Sequence, residues 1–390
     1  MSAGAPGNPP KSLLVVRLGA MGDVIHTMHA VALLRRALPE TQIGWVIEER
    51  WAELLCAKGT PRSGARSAGR PLVDFVHPVN TKAWRKSPLA GKTRQQFSAA
   101  LKEIRDQEYE LAIDFQGAIK SALLARLAGT KSVVGMDEPR ERPARLLYSQ
   151  RVQTREAHVI AQYCRLAKAV GEDLSLRASF DRTHSTPSPR SVAQGGLDEG
   201  GCLPAHGLGA LQIPSDESAE QAISLKLQSV GSPIVLVNPG TGWGAKEWPA
   251  ERYGEISHEL AKQGAHIFVN YGPGEERLAK AVQNSSGGGA QPITCSIGEL
   301  IAISRQASLF IGGDTGPLHL AAALGVPVVA IFGPTDPARN GPYGERSIVL
   351  RNPASRTSLS HTSEPDPGLL QIRPDQVLAA ARKLLESNHA

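Results

Sequence analysis

The sequence VVRLGAMGDVIHT places a carboxylate directly after an apolar run that predicts a β-strand. Gly19 and Gly22 permit a tight turn, and Asp23 then falls in the first turn of the helix that follows. A carboxylate at the end of a strand can take the proton of an attacking hydroxyl as a general base. The same position suits a helix cap, worth about 0.5–2 kcal/mol, and both interpretations stand. His26, one turn later, is predicted to pack beneath the site or to support it.

A second strand-to-helix turn, VNPGTGWGAKEWP, combines glycines with Thr241 and Lys246 ahead of a helix that Pro249 helps to start. Free backbone amides in such a turn, together with a lysine, can bind a diphosphate. The Walker sequence is absent because Ala245 precedes Lys246 and Glu247 follows it, which disfavours a P-loop ATPase. A glycine loop with a solvated lysine is the alternative.

The segment LFIGGDTGPLHLAAALG carries the densest group of candidate residues, which are Asp314, Thr315, Gly316 and His319. Thr315 and Gly316 can present backbone amides to a phosphate at the positive end of the following helix. Asp314 would repel a phosphate, so we expect it to contact a neutral polar group such as sugar hydroxyls. Helix capping explains Asp314 alone, but not the whole cluster.

The turn FVNYGPGEE offers two further carboxylates. Glu276 or Glu275, at a strand-to-helix turn, can accept hydrogen bonds from ribose or sugar hydroxyls. Capping of the next helix explains either residue equally well.

Short β-branched runs alternate with helical patterns in both halves of the chain, which predicts parallel sheets covered by helices. In the first half, the predicted strands and helices are 13–17, 22–37 (helix), 42–48, 51–55 (helix), 75–79, 94–106 (helix) and 111–114, with a helix opening near 117. In the second half, they are 234–238, 249–263 (helix), 266–271, 275–283 (helix), 309–312 and 328–332. The predicted fold class is therefore α/β, with two facing Rossmann-like, doubly wound domains and a cleft between them. Ligands of such domains bind at the carboxyl ends of strands, where the turns described above fall.

Two stretches of low complexity interrupt this alternation. Residues 183–209, rich in Ser, Pro and Gly, predict a flexible linker between an N-terminal domain at 1–182 and a C-terminal domain at 210–367. An amphipathic pattern within 368–390 predicts a closing helix. Residues 59–70, GTPRSGARSAGR, lack apolar periodicity and predict a mobile basic loop.

Charge is unevenly distributed along the 390 residues. Residues 1–182 contain 28 Lys or Arg and 18 Asp or Glu, a net charge of +10, whereas the remainder contains 15 and 19, a net charge of −4. The basic half suits phosphates or an acidic membrane surface, and a solvated basic surface with no partner explains it equally well.

The remaining composition points to a cytoplasmic protein without a membrane span. The four cysteines show neither paired nor metal-binding spacing, which favours a reducing cytosol. The N-terminus lacks the features of a signal peptide. The longest apolar region, 309–332, is broken by Asp314, His319 and two prolines, so we expect no transmembrane segment.

Taken together, these motifs resemble the heptosyltransferases of lipopolysaccharide core synthesis, glycosyltransferase family 9. The segments that carry the resemblance are GAMGDVIHT, GWVIEERWAELL, IDFQGAIKSALLARLAG, GMDEPRER, WGAKEWP, GPGEE and GGDTGPLHLAAALGVPVVAIFGPTDP. They cover most of the chain apart from the first ten residues, 59–70, 183–209 and the tail after about 351.

The resemblance implies a GT-B fold, an ADP-heptose donor bound mainly by the C-terminal domain, and a Kdo-lipid A acceptor approached from the N-terminal domain. It also implies an inverting enzyme that uses no metal and no cofactor. Such an enzyme would be cytoplasmic and peripherally associated with the inner face of the cytoplasmic membrane, with no nucleic-acid partner.

The resemblance further assigns roles to residues of this sequence. Asp23 matches the family's catalytic aspartate, and Thr241 with Lys246 matches its diphosphate-contacting turn. Glu276 matches an acidic contact to the nucleoside or sugar. The donor-sugar and phosphate cluster corresponds to Asp314, Thr315, Gly316 and His319. Gly242 stands where the family often has a second hydroxyl residue, so the side chain of one phosphate contact is missing here.

Physical chemistry supports these roles at two points. Negative charge on departing ADP can be met by Lys246, backbone amides and a helix N-terminus, which makes a divalent metal dispensable. The basic first half suits an acceptor bearing carboxylates and phosphates. The candidates for the acceptor side are Trp84, Arg85, Lys86 and Lys120.

Three other functions compete with this one. A family relative could use a different core acceptor or sugar donor. A nucleotide-binding or membrane-surface module that has lost catalysis would bind ADP without turnover. A nicotinamide oxidoreductase is disfavoured because no G-x-G-x-x-G follows the first strand.

Overall fold

The computed structural model describes residues 9–173, 211–344, 346–358 and 362–387. The chain divides into two compact units, Met1–Pro214 and Ser215–Ala390, and each contains a six-stranded sheet. The predicted linker, 183–209, lies outside the described residues.

The first unit is built on a parallel sheet with the strand order β3-β2-β1-β4-β5-β6. This is the order of the doubly wound fold, in which the direction of winding reverses between β1 and β4. The strands are β1 Ser12–Val16, β2 Gln42–Glu48, β3 Phe75–Val79, β4 Leu111–Asp114, β5 Ser132–Met136 and β6 Gln150–Val152. The helices are α1 Met21–Ala37, α2 Thr81–Lys86, α3 Gly91–Arg105, α4 Ile119–Leu127 and α5 Val159–Asp173.

The second unit repeats this topology with the strand order β12-β11-β10-β7-β8-β9, again all parallel. Its strands are β7 Ile234–Asn238, β8 His266–Asn270, β9 Ala290–Ile293, β10 Leu309–Gly313, β11 Val328–Phe332 and β12 Ser347–Arg351. Its helices are α6 Glu217–Lys226, α7 Ala250–Lys262, α8 Glu276–Ser285, α9 Ile297–Gln306, α10 Gly316–Ala323, α11 Pro337–Asn340 and α12 Pro374–Glu386.

The central strands are buried along their whole length because helices cover both faces of a parallel sheet. Every residue of β1 (SLLVV), β7 (IVLVN) and β11 (VVAIF) is buried. Near the C-terminus, Val377, Ala380 and Leu384 of α12 enter the core of the second unit together with residues of β7, β10 and β11. The predicted α/β class with two doubly wound halves is confirmed.

The structure refines two local predictions in the first unit. The helix expected at 51–55 is instead a 3-10 helix, Glu49–Leu54. The basic segment 59–70 is not structureless, because Arg70 at its end is only 1% exposed. Its guanidinium donates hydrogen bonds to backbone carbonyls of Pro61, Gly64, Ala65, Val73 and Asp74. A buried guanidinium needs partners for its N–H groups, so the loop folds its own carbonyls around the cation.

Within the described residues, none of the helices is long and apolar enough to cross a bilayer.

Candidate functional site

In both units, several candidate residues follow the two strands that flank the reversal of winding, whereas Glu275 and Glu276 follow β8 and Trp84, Arg85 and Lys86 follow β3. In the first unit, β1 leads to Asp23 and β4 leads to Lys120. In the second, β7 leads to Thr241 and Lys246, and β10 leads to Asp314. Neighbouring parallel strands end at the same edge of a sheet, so the two turns of each unit lie side by side where doubly wound domains bind ligands.

Asp314 is the centre of a buried polar cluster in the second unit. Nζ of Lys246 donates to Oδ2 of Asp314 over 2.6 Å and lies 3.4 Å from the Asp314 carbonyl oxygen. Nε2 of His319 lies 3.0 Å from Oδ1. The side chains of Asp314 and His319 are only 8% and 5% exposed. Both carboxylate oxygens therefore have partners, and the cluster joins the turn after β7 to the turn after β10.

Asp314 has a charged partner, Lys246, that was not expected from the sequence. Its contact with neutral sugar hydroxyls stays a prediction. Burial by itself would raise the pKa of the Asp314 carboxyl. The hydrogen bond with His319 and the charges of His319 and Lys246 outweigh burial and hold this pKa well below its usual range. Asp314 is therefore ionised. Lys246, which could bind a diphosphate, also offsets the negative charge of Asp314, which would otherwise repel that diphosphate.

Thr315 and Gly316 open helix α10. Thr315 occupies the N-cap position, but its Oγ1 donates to the carbonyl of Gly313 over 3.2 Å instead of capping the helix. The amides at the start of α10 are thus not satisfied by this hydroxyl. Such amides are a ready site for an anion.

The structure separates the two candidate glutamates. Glu275 lies against the turn after β7, since a Cβ atom on Gly240 would lie 2.2 Å from its Oε2. Glu275 and Thr241 also line a cavity of about 600 Å³ in the second unit. Glu276 is exposed, and its Oε1 accepts a hydrogen bond from the amide of Gly274 over 3.2 Å. Only Glu275 is brought beside Thr241.

The contacts that hold the Lys246 turn were not predicted from the sequence. Nζ of Lys246 lies 4.4 Å from the centre of the Trp243 ring, in cation–π geometry. The turn is also fastened by a later segment, because the Ala245 amide donates to the Thr362 carbonyl over 3.1 Å and the Asp366 amide donates to the Ala245 carbonyl over 3.0 Å. The tryptophan beside the lysine was visible in the sequence, whereas the contact with the distant segment has no sequence signal.

Asp23 is both a helix cap and an accessible carboxylate. Its Oδ2 accepts a hydrogen bond from the amide of Ala20 over 3.1 Å and an ion-pair contact from Nη2 of Arg17 over 2.7 Å. Among the described residues, Oδ1 receives no hydrogen bond, and the side chain is 38% exposed. The two interpretations made from sequence are therefore compatible, with one oxygen holding the turn and the other open. His26 is buried.

Arg17 is a fixed cation behind Asp23. Its Nη1 donates to the carbonyl of Phe115 over 2.6 Å, and its guanidinium lies 5.4 Å from the centre of the Tyr163 ring. Burial acts to lower the pKa of Arg17, but Tyr163 and Asp23 act in the opposite direction, and the net shift is upward. Arg17 therefore stays charged and orients the Asp23 carboxylate.

A cavity of about 530 Å³ opens in the first unit. Trp84, Arg85 and Lys120, three of the four predicted acceptor residues, line it. Lys86, at the end of α2, is exposed and is not among the lining residues. Leu18, which leads into the Asp23 turn, lines the cavity as well. The structure thus brings together residues from the turns after β1, β3 and β4.

Metal ligands need several donor side chains within reach of one point. Within the residues that the structure describes, no group of three or more His, Cys, Asp or Glu side chains is arranged to hold a metal ion.

Residues 98–366, more than half of the chain, match glycosyltransferase family 9 (heptosyltransferase). The chain belongs to this family. Lipopolysaccharide heptosyltransferase 1 of Pseudomonas aeruginosa is 29% identical over 386 residues, which cover 95% of this chain and 94% of that protein.

Solved structures of the heptosyltransferase family have the same fold. E. coli heptosyltransferase WaaC with ADP gives a TM-score of 0.68 at 24% identity, covering 97% of this chain and 99% of that one. The same enzyme with ADP-2-deoxy-2-fluoro heptose gives a TM-score of 0.65 at 24% identity, covering 97% and 100%. The likeness confirms the predicted GT-B fold, and family membership makes this chain a glycosyltransferase.

Proposed function

We propose that this protein transfers heptose from ADP-heptose to the Kdo residue of lipid A, with inversion at the anomeric carbon and without a metal. Its relatives carry the names of lipopolysaccharide heptosyltransferases, and one of the solved structures contains an ADP-heptose analogue. The observation that carries the assignment is the placement of Asp23 and of the Lys246–Asp314–His319 cluster at the reversal of winding in their respective units.

The donor is assigned to the second unit. Lys246 and the first amides of α10 meet the two phosphates, and Thr241 lies on the glycine turn that approaches them. Asp314 and His319 position Lys246 and face the donor sugar. We assign the ribose contact to Glu275 rather than Glu276, because Glu275 is the one that lies against the Thr241 turn.

The reaction needs one base and one set of cations. A hydroxyl oxygen of the acceptor attacks the anomeric carbon of heptose as its proton passes to Oδ1 of Asp23. The bond between that carbon and the β-phosphate oxygen breaks, and its electron pair leaves with ADP. Lys246 and the helix amides stabilise the charge that develops on the departing phosphate, which is the role a metal would otherwise have.

The acceptor is assigned to the cavity of the first unit. Arg85 and Lys120 at that cavity suit carboxylate or phosphate groups. The net charge of +10 in residues 1–182 is consistent with a cytoplasmic enzyme that works peripherally at the inner face of an anionic membrane.

ADP release from ADP-heptose, measured with Kdo-terminated and heptose-terminated acceptors side by side, tests the assignment. We expect turnover with the Kdo-terminated acceptor. Asp23→Asn and Asp23→Ala should both lose at least about 100-fold in kcat, the scale expected for a general base, while binding ADP as the wild type does. Asp23→Asn keeps an oxygen for the Ala20 amide, so it separates loss of the base from loss of the cap. Full activity of either variant would show that the base is another group.

A further inference from the structure

The cavity of the first unit has two chemically different sides. The polar side carries the cations Arg50, Lys82, Arg85 and Lys120 and one carboxylate, Glu48, which accepts a hydrogen bond from the Thr81 hydroxyl. The same hydroxyl lies 3.5 Å from Nζ of Lys120. The apolar side is formed by Trp84, Phe97, Leu123, Leu124 and Leu127. A phosphorylated sugar satisfies the first side but leaves the second without a partner, because hydrocarbon offers no hydrogen bonds to hydroxyl groups.

The apolar side is a built surface rather than a scatter of exposed residues. Leu123 and Leu127 are four residues apart on α4 and therefore lie on one face of the helix. Trp84 and Phe97, from α2 and α3, pack edge to face with ring centres 5.3 Å apart. Leu123 is nevertheless 46% exposed, so part of its apolar surface is accessible to a ligand.

We propose that this side of the cavity binds one acyl chain of the lipid acceptor, while the cationic side binds an anionic group of the same molecule. The inference rests on the proposed function and deepens it. An anionic amphiphile is the ligand that complements both sides, and about 530 Å³ falls within the range of about 300–1,000 Å³ found for ligand pockets. Leu18 links the cavity to the turn of Asp23, so an acyl chain held here also holds the acceptor near the proposed base.

The concave shape distinguishes a single chain from a bilayer surface. A bilayer would contact protruding apolar side chains, and Ile119 on the same helix, 44% exposed, is not among the residues that line the cavity. Ile119 is thus a matched control for Leu123, since both lie on α4 with nearly equal exposure.

The experiment compares Leu123→Gln with Ile119→Gln on two acceptors that share the same sugars and phosphates, one acylated and one fully deacylated. Loss of the apolar contact should raise the KM of Leu123→Gln for the acylated acceptor about fivefold to tenfold. Its KM for the deacylated acceptor should not change, and Ile119→Gln should match the wild type on both. An equal rise on both acceptors would overturn the acyl assignment in favour of a sugar contact. An equal effect of the two variants would overturn it in favour of a bilayer surface.

A binding measurement keeps this inference separate from the proposed transfer. Monomeric myristate, titrated calorimetrically, should bind the wild type and Ile119→Gln with similar affinity, and Leu123→Gln and Lys120→Ala more weakly. Absence of ADP release from the wild type with both acceptors would contradict the proposed function alone. Absence of myristate binding by the wild type would contradict the acyl assignment alone.

Discussion

Lys246 and Asp314, 68 residues apart in the sequence, form an ion pair of 2.6 Å that joins the turn after β7 to the turn after β10. The pair is largely removed from water, with side chains 13% and 8% exposed. It sets the position of the cation that we assign to the donor diphosphate, and it makes the stability of this edge of the sheet dependent on the charge of Asp314.

The depressed pKa of Asp314 predicts a loss of stability in acid. A carboxylate whose pKa is lower in the folded than in the unfolded protein contributes stability above its unfolded pKa, about 3.9, and that contribution disappears as the pH falls towards the folded pKa. The free energy of unfolding of the second unit should therefore decrease at pH values below about 4. Urea unfolding measured between pH 6 and pH 2.5 should show a smaller fall for Asp314→Asn. Asp375→Asn, at an exposed Arg373–Asp375 pair, is the control and should follow the wild type. Identical pH profiles for wild type and Asp314→Asn would contradict the depressed pKa.

Trp243 is predicted to position Lys246 for the donor. The ring lies 4.4 Å from Nζ, and cation–π contacts contribute about 0.5–2 kcal/mol. Trp243→Leu should raise the KM for ADP-heptose about threefold to tenfold, whereas Trp243→Phe, which keeps an aromatic face, should recover most of that loss. The measurement is a donor titration of ADP release at saturating acceptor. If Trp243→Phe and Trp243→Leu give the same KM, the Trp243 ring does not act through its π face.

The two neighbouring glutamates predict a sharp contrast. Glu275→Gln should weaken ADP binding about tenfold, because a carboxylate accepts hydrogen bonds from the ribose hydroxyls more strongly than an amide does. Glu276→Gln is its control and should bind ADP normally, since Glu276 is exposed and contacts the Gly274 amide. Calorimetric titration with ADP gives both affinities. Weaker ADP binding by Glu276→Gln than by Glu275→Gln would assign the ribose contact to Glu276 instead.

Arg70 is predicted to hold its loop by charge and hydrogen bonding. Arg70→Met keeps an unbranched side chain but leaves the surrounding carbonyls without donors, so unfolding of the first unit should become easier by about 2–4 kcal/mol. Arg62→Met, in the same loop at an exposed position, should cost little. Urea unfolding followed by tryptophan fluorescence compares the two variants, and equal stabilities would contradict the structural role of Arg70.

The sequence was sufficient wherever one local pattern decided the structure. The strands at 42–48, 75–79, 111–114, 234–238 and 328–332 were predicted with their observed bounds, because continuous β-branched runs between turn residues are characteristic of buried parallel strands. The positions of Asp23, Lys246 and Asp314 at the ends of strands followed from the same alternation.

Partners that come from distant parts of the chain could not be predicted. The sequence shows neither that Lys246 pairs with Asp314 nor that the segment around Asp366 fastens the Lys246 turn. The sequence also does not separate Glu275 from Glu276, because the two neighbours are the same residue type. Only the structure shows which of them lies against Gly240 at the start of α8. The role of Arg70 could not be predicted for the same reason. A basic loop without apolar periodicity gives no sign of the carbonyls that surround the Arg70 guanidinium.

Three arginines of the first unit are engaged inside the protein and are not available to an approaching ligand. Arg17, Arg35 and Arg70 each direct their guanidinium to carbonyl or carboxylate oxygens of their own unit. These three cations are fixed inside the unit, so an approaching anion is steered by the exposed Lys and Arg side chains of residues 9–173, Arg85 and Lys120 among them. Salt should accordingly slow capture of the acceptor by screening these surface cations, while leaving the interior arginines, and the architecture they support, untouched.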